Sequence, residues 1–210
     1  TDLYNKFCPG PLTFILKLKK DSKISKFVTN KKKTLAVRFP SHPKAKGLLK
    51  ILNYPLAAPS ANISSRVSPV TKNHVKEEFG KKIKYIIEGG LSKIGLESTI
   101  INLTGKPEIL RVGTIDINKL NKALKKKLFY RKKTYMKVPG QNRLHYSPGI
   151  PLKMNCKEAS LDEAFILVKK RNNSNRNFFY LSKNKNLKEA ARNLYSCLLY
   201  TSPSPRDSGK

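Results

Sequence analysis

Short apolar runs alternate with helical periodicities along the first 125 residues. Residues 12–18 (Leu-Thr-Phe-Ile-Leu-Lys-Leu) predict a buried strand, entered through the rigid turn Pro9-Gly10-Pro11. Residues 34–40 predict a second strand, with Arg38 inside an apolar run that Pro40 stops. Residues 43–53 have helical spacing, with Leu48, Leu49, Ile51 and Leu52 toward the core. An apolar run (54–58) then leads into a polar loop (59–69) and a helix over 70–79. Ser68 or Thr71 can cap that helix, Pro69 suits its first turn, and Gly80 ends it. Residues 85–90 predict a strand running into a glycine turn. Residues 97–103 predict another, headed by Ser98 and Thr99, and 108–113 a short last one carrying Arg111. Asp116 caps a helix on which Ile117, Leu120 and Leu124 share a face. Strands interleaved with helices in this way predict an α/β fold.

The pattern breaks at residues 138–149, whose proline and glycine content is that of a linker, and then restarts. Ser160 and Glu163 have capping-box spacing for a helix through Arg171. Residues 177–182 predict a strand. Leu187, Ala191, Leu194 and Leu198 line a final helix, which the polar tail breaks near Leu199. The tail resembles translated adapter sequence and is set aside. The expected organisation is a first domain over 1–127, a basic segment and linker over 128–150, a second domain over 151–199, and a non-native tail over 200–210.

Composition narrows the classes. No apolar run approaches the roughly 18 residues of a membrane span, and no signal-peptide pattern opens the chain, which starts at Thr1 without a methionine. Cys8, Cys156 and Cys197 are odd in number and widely spaced, which suits a reducing, cytoplasmic compartment. The formal charge of +31 attracts polyanions, but the lysines are spread along the whole chain. One stretch differs: residues 117–157 contain no Asp or Glu, and Phe129 and Tyr130 stand there between lysine and arginine triplets.

Candidate chemistry centres on Pro59-Ser60-Ala61-Asn62-Ile63-Ser64-Ser65-Arg66-Val67-Ser68-Pro69. Apolar run, polar loop and helix in succession place a loop at the carboxyl edge of a sheet, where ligands bind. Its hydroxyls, amide and guanidinium suit phosphate and carboxylate oxygens. Other chemistries are absent. Gly90 to Gly95 has P-loop glycine spacing, but Leu96-Glu97 replaces the required Lys-Ser/Thr pair. There is no G-x-S-x-G elbow, and His42, His74 and His145 lack metal-ligand spacing. A hydroxyl- and arginine-rich site without a nucleophile suits alignment and electrostatic stabilisation of anions.

Five motifs, Phe7-Cys8-Pro9-Gly10-Pro11-Leu12-Thr13, Val37-Arg38-Phe39-Pro40, Ala58-Pro59-Ser60-Ala61-Asn62, Glu97-Ser98-Thr99-Ile100 and Leu110-Arg111-Val112-Gly113, occur in this order. Together they resemble the YrdC-like threonylcarbamoyl-AMP synthase family. The linker ending His145-Tyr146-Ser147-Pro148-Gly149 resembles that of its two-domain form. The resemblance implies a YrdC-like twisted mixed sheet with flanking helices, followed by a linker and a partial Rossmann-like α/β domain. It implies a nucleotidyltransferase that joins L-threonine, bicarbonate and ATP into threonylcarbamoyl-AMP and releases pyrophosphate. The product would serve threonylcarbamoyl modification of a tRNA adenosine, with downstream transfer proteins as partners and Mg²⁺ accompanying ATP. Carried over residue by residue, Arg38, Ala58 and Ser98 would contact threonine. Thr34, Ser60, Ser68 and Arg111 would contact the nucleotide, Tyr146 would close over it, and Asn62 would stand in the same shell. No residue is assigned as general base, and no metal-ligating residue is implied.

Cys8 departs from an aromatic usual in that family, Ser65 from glycine and Val112 from proline. The family's N-terminal substrate loop and Lys/Arg motif would lie upstream of Thr1, so the 210 residues alone are expected to be inactive. Two other classes fit parts of the sequence. One is a non-catalytic RNA-binding module using residues 125–137, which would contact tRNA. The other is the related domain of carbamoyltransferases, against which the tyrosine linker argues.

Overall fold

The computed structural model describes residues 2–130, 138, 146–172 and 175–201. The chain divides into two units that are discontinuous in sequence. One comprises Thr1–Pro59 and Glu97–Gln141, the other Ser60–Leu96 and Asn142–Lys210. Residues 60–96 thus group with the C-terminal part, unlike the consecutive order read from the sequence. The basic triplet after Tyr130, most of the linker and the polar tail, residues 131–137, 139–145 and 202–210, lie outside the described residues. Among the described residues no helix is long and apolar enough to cross a membrane.

The first unit is built on a five-stranded mixed sheet. Its strands are β1 (Leu12–Lys17), β2 (Thr34–Arg38), β3 (Thr99–Asn102), β4 (Glu108–Arg111) and β5 (Phe129–Tyr130), in the order β2-β1-β3-β4-β5. β1 pairs antiparallel with β2 and parallel with β3; β3 pairs antiparallel with β4, and β4 parallel with β5. Four of the five strands are the ones the apolar runs predict.

Alternation then separates the two faces of the sheet. Leu12, Phe14, Ile101 and Ile109 form one apolar face, closed by Leu3 of helix α1 (Asp2–Phe7) and by Leu120 and Ala123 of helix α5 (Ile117–Leu124). Leu12, Ile101 and Leu120 are wholly buried, so this face holds the unit together by burial of apolar area. α5 starts where expected, with the Asp116 carboxylate accepting from Asn118 N (2.7 Å). On the opposite face Ile15, Ile100, Leu110 and Val138 make a smaller cluster. A register shift between Ile100 and Ile101 adds one residue to β4, so Arg111 stands opposite Ile100 while Ile109 stands opposite Ile101.

The unit also contains the short helix α2 (Lys26–Thr29) and helix α3 (Pro43–Ile51). α3 forms where expected, with His42 Nδ1 accepting from Lys44 N and Pro43 in the first turn. Its anticipated core face is not buried: Leu48 and Ile51 are exposed, Ile51 at 84%. Helical spacing fixes which residues share a stripe, but burial needs a surface to receive it.

In the second unit, helix α4 (Lys72–Phe79) is capped by Thr71, whose Oγ1 accepts from His74 N (3.3 Å), and ends at Gly80 in the left-handed region. Ser68 and Pro69 precede the helix rather than open it. Residues 85–90 do not form the expected strand. Tyr85 is 80% exposed and Ile87 58%, and a β-rich run without a partner backbone makes no ladder. Glu88 there accepts from Gly90 N (2.9 Å) and pairs with Lys72 (3.0 Å).

The anticipated helix after Ser160 is also replaced. Ser160 N donates to Glu163 Oε2 (3.1 Å), half of the capping box, but strand β6 (Phe165–Lys169) follows and pairs parallel with β7 (Phe178–Ser182). The aromatic and β-branched run finds a neighbouring strand, and that pairing overrides the local cap. Helix α6 (Leu187–Thr201) runs past Leu199 and buries Ala190, Tyr195 and Leu198, while Leu187 is exposed. Its buried stripe is set by two neighbours. Asn193 Nδ2 donates to Leu181 O (2.8 Å), and Gly95 approaches the Arg192 backbone so closely that a Cβ would lie 2.3 Å from its carbonyl oxygen. Tyr195 and Leu198 form a core with Val67 and Val70.

Candidate functional site

In the first unit, strand register brings the arginines into one row. Arg38 stands opposite Thr13, Thr13 opposite Ile100, and Ile100 opposite Arg111. Cross-strand partners point to the same face, so Arg38, Thr13 and Arg111 line the face opposite the helix-covered core. Ser98, at the head of β3, is buried and ties the row together. Arg111 Nε donates to Ser98 O (3.0 Å), Arg111 Nη2 donates to Ser98 Oγ (3.1 Å), and Ser98 Oγ is 2.7 Å from Thr13 Oγ1.

These bonds hold the Arg111 guanidinium at a fixed angle. Arg38 is different: among the described residues its guanidinium has no hydrogen-bond or ion-pair partner. The protein packed on its inner side, and then the nearby Arg111 charge, push its pKa below the ordinary arginine value. A guanidinium with no partner among the described residues, beside a second one turned to Ser98, is set to receive an anion. Thr34 lies on the same face, four residues back along β2 and opposite Lys17. Ala58 is exposed beyond β2 and α3.

Close packing supports this row from behind. Gly113 N donates to Thr99 Oγ1 (3.1 Å), and a Cβ on Gly113 would lie 2.4 Å from Thr99 N and 2.6 Å from Glu97 O. Only glycine fits there, one residue pair beyond Arg111. Thr13, Thr99 and Gly113 were in the quoted motifs without a role. Alternation along β1, which puts Thr13 on the face of Arg38 once the strands pair, was the signal for the first of them.

Ser60, Asn62, Ser68 and Tyr146 lie in the second unit. Their loop is not preceded by a strand: residues 52–58 are irregular, and Tyr54 and Leu56 are exposed. Ser60 is exposed and Ser68 half-buried. Asn62 folds the loop on itself, its Nδ2 donating to Ile63 O (2.9 Å) and Arg66 O (3.0 Å), while its buried Oδ1 has no partner among the described residues. The Arg66 guanidinium, counted from sequence among the anion donors, is drawn to Glu78 (3.3 Å), which also accepts from Ile63 N (2.8 Å).

Ser65 has φ +75°. Its carbonyl accepts from Ser147 N (2.9 Å), and Arg66 and Ser147 form a parallel bridge. The preceding Tyr146, also in the left-handed region, stacks on Tyr195 with centroids 5.5 Å apart. Within this unit, the tyrosine of the linker is therefore held by the loop backbone and by α6.

The observations define an α/β protein with an arginine- and hydroxyl-lined sheet face. Comparison with known proteins identifies it further. The Sua5–YciO–YrdC family model, described as Telomere recombination, matches residues 1–113, and that for the threonylcarbamoyl-AMP synthase C-terminal domain matches residues 108–202. The chain belongs to the Sua5–YciO–YrdC family. It is 40% identical over 159 residues to a threonylcarbamoyl-AMP synthase of Schizosaccharomyces pombe, covering 70% of this chain and 39% of that one. A Pyrococcus abyssi threonylcarbamoyl-AMP synthase is 38% identical over 152 residues, covering 70% and 44%. The crystal structure of P. abyssi Sua5 complexed with L-threonine matches with a TM-score of 0.78 at 30% identity, covering 94% of this chain and 63% of that one. The chain thus spans less than half the length of these two curated relatives.

Proposed function

We propose that this chain is part of an L-threonylcarbamoyladenylate synthase, a nucleotidyltransferase that acts on L-threonine, bicarbonate and ATP for tRNA modification. The observation that carries the reading is the guanidinium of Arg38, which has no carboxylate partner among the described residues and feels the charge of Arg111. Family membership supports it, and the relatives' names favour it over a carbamoyltransferase.

In this reading Arg38 takes the threonine carboxylate bidentately, and Ser98 acts by holding Arg111 and Thr13 in place. Main-chain groups at Ala58 receive the amine or hydroxyl. The threonine amine adds to bicarbonate with loss of water. The resulting carbamate oxygen then attacks the α-phosphorus of ATP, forming a P–O bond as the bond to pyrophosphate breaks. Arg111 and Thr34 are the nucleotide contacts of the first unit, and charge spreading over the phosphoryl oxygens is where cations lower the barrier. For Ser60, Asn62, Ser68 and Tyr146 of the second unit, the nucleotide roles are those that the family resemblance implies. Mg²⁺ would arrive on the phosphates of ATP; among the described residues no group of three or more His, Cys, Asp or Glu could hold a metal ion.

Calorimetric titration of the chain with L-threonine tests this. Arg38→Ala should weaken binding at least tenfold, and Arg38→Lys should recover only part of it because the fork is lost. The unfolding midpoint of Arg38→Ala should stay or rise, since repulsion with Arg111 is relieved. Absence of threonine binding, or equal binding by Arg38→Ala, would overturn the proposal.

A further inference from the structure

The hydroxyls on the sheet of the first unit form a chain with a direction, and that direction singles out Thr13. A guanidinium only donates, so Ser98 Oγ accepts from Arg111 Nη2 (3.1 Å). Ser98 is 4% exposed, and among the described residues the one other group bonded to its hydroxyl is Thr13 Oγ1, at 2.7 Å. Were Thr13 the donor in that pair, the Ser98 proton would be buried without an acceptor, which costs more than a typical hydrogen bond contributes. With Ser98 donating, its proton and one lone pair are both engaged, and the proton left over is that of Thr13. Thr13 is half-buried and can turn this proton outward. The chain therefore runs from the Arg111 cation through Ser98 to Thr13, and each bond polarises the next.

Register decides where that proton goes. Thr13 pairs with Arg38 across β1 and β2, and directly opposed residues hold their Cβ atoms about 5 Å apart on one face. The Thr13 O–H thus opens beside the Arg38 guanidinium. We propose that Thr13 is a further substrate-binding residue, its hydroxyl donating to the carboxylate that Arg38 holds, while Ser98 and Arg111 fix the direction of this donor. The assignment rests on the synthase reading for the carboxylate and extends it by one contact. A carboxylate oxygen that accepts from the Arg38 fork keeps a further lone pair, and a hydroxyl polarised from Arg111 fills it with a charge-assisted bond. Strand propensity alone does not account for Thr13, because valine would serve the same pleat with the same volume and no donor.

Calorimetric titration of the full chain with L-threonine, and with L-threoninamide in which a neutral amide replaces the carboxylate, tests it. Thr13→Val should weaken L-threonine binding about tenfold, the loss expected for one hydrogen bond to a charged group. Thr13→Ser keeps the hydroxyl and should bind L-threonine within about twofold of the parent. For L-threoninamide the loss in Thr13→Val should be only about threefold, since bonds to charged groups are about twice as strong as neutral ones. A merely structural Thr13 would weaken both ligands alike. Ser98→Ala removes the partner that orients Thr13 and should weaken L-threonine about threefold. Thr13→Val/Ser98→Ala should lose no more than Thr13→Val, because Ser98 acts through Thr13. Unfolding midpoints accompany each titration, and the contrast between Thr13→Ser and Ser98→Ala carries the test should Thr13→Val not fold. L-Threonine binding by Thr13→Val equal to the parent's, by Thr13→Ser as weak as Thr13→Val's, or by Ser98→Ala equal to the parent's would overturn this assignment and leave the synthase reading standing; so would equal losses for the two ligands. A parent chain that binds no L-threonine would overturn both.

Discussion

The candidate residues on the sheet of the first unit and those on the loop of the second are held by different principles. In the first unit, Arg38, Thr13, Ser98 and Arg111 are positioned by four strands whose registers are locked by a buried apolar face. A one-residue slip would turn that face to solvent, so the arginine row inherits the precision of the core. In the second unit, the 60–68 loop holds its shape by local polar contacts, through the Asn62 amide and the Glu78 carboxylate, and its tip is exposed. A sheet fixes side chains through the energy of the whole element, whereas a loop fixes them one hydrogen bond at a time.

The largest test of this contrast is Gly113→Ala. With a Cβ 2.4 Å from Thr99 N, overpacking should cost about 1–3 kcal/mol in urea unfolding and displace Arg111 from Ser98, so threonine binding falls with stability. Ser60→Ala on the exposed loop tip should stay within about 0.5 kcal/mol. Equal effects would remove the distinction.

A smaller effect of opposite sign is expected at Ser65, which adopts φ +75° with a Cβ. Ser65→Gly should relieve about 1 kcal/mol of left-handed strain, reduced by the greater entropy of the unfolded glycine chain. A higher unfolding midpoint is the expected result. A lower one would mean that the serine side chain stabilises the loop.

The smallest effect concerns pH. Burial pushes the His74 pKa below 6.5, against a weaker opposing pull from Glu77, and its Nδ1 accepts from Val70 N (3.4 Å). A depressed histidine pKa means that the unfolded chain binds the proton first. The contribution of neutral His74 is therefore present above pH 6.5 and is lost as pH falls through that value toward the folded pKa. His74→Gln should flatten this acid-side decline in melting temperature; an unchanged profile would count against it.

Much of the scaffold was legible in the chain. β1, β2, β3, β4 and α5 follow from apolar runs, Pro-Gly turns and the Asp116 cap, because those signals act within a few residues. Where local signals met tertiary ones, the latter won. The Ser160–Glu163 cap formed its bond yet led into a strand, the run at residues 85–90 formed no strand, the stripe of α3 stayed unburied, and that of α6 held at Leu194 and Leu198 but not at Leu187. At the site, Arg38, Ser98 and Arg111 were named from sequence, but Thr13 was not, since its part depends on pairing between residues 85 positions apart.

By itself, the sequence determined the residue types, the helical and strand periodicities and the motif order that identify the family. Only the tertiary structure decided that register places Arg38 and Arg111 in one row, that Ser98 is committed to holding Arg111, and that Arg66 turns to Glu78. The physical reason is range. Propensities and caps are set by neighbours along the chain, whereas register, burial and charge pairing depend on which distant segments share a surface.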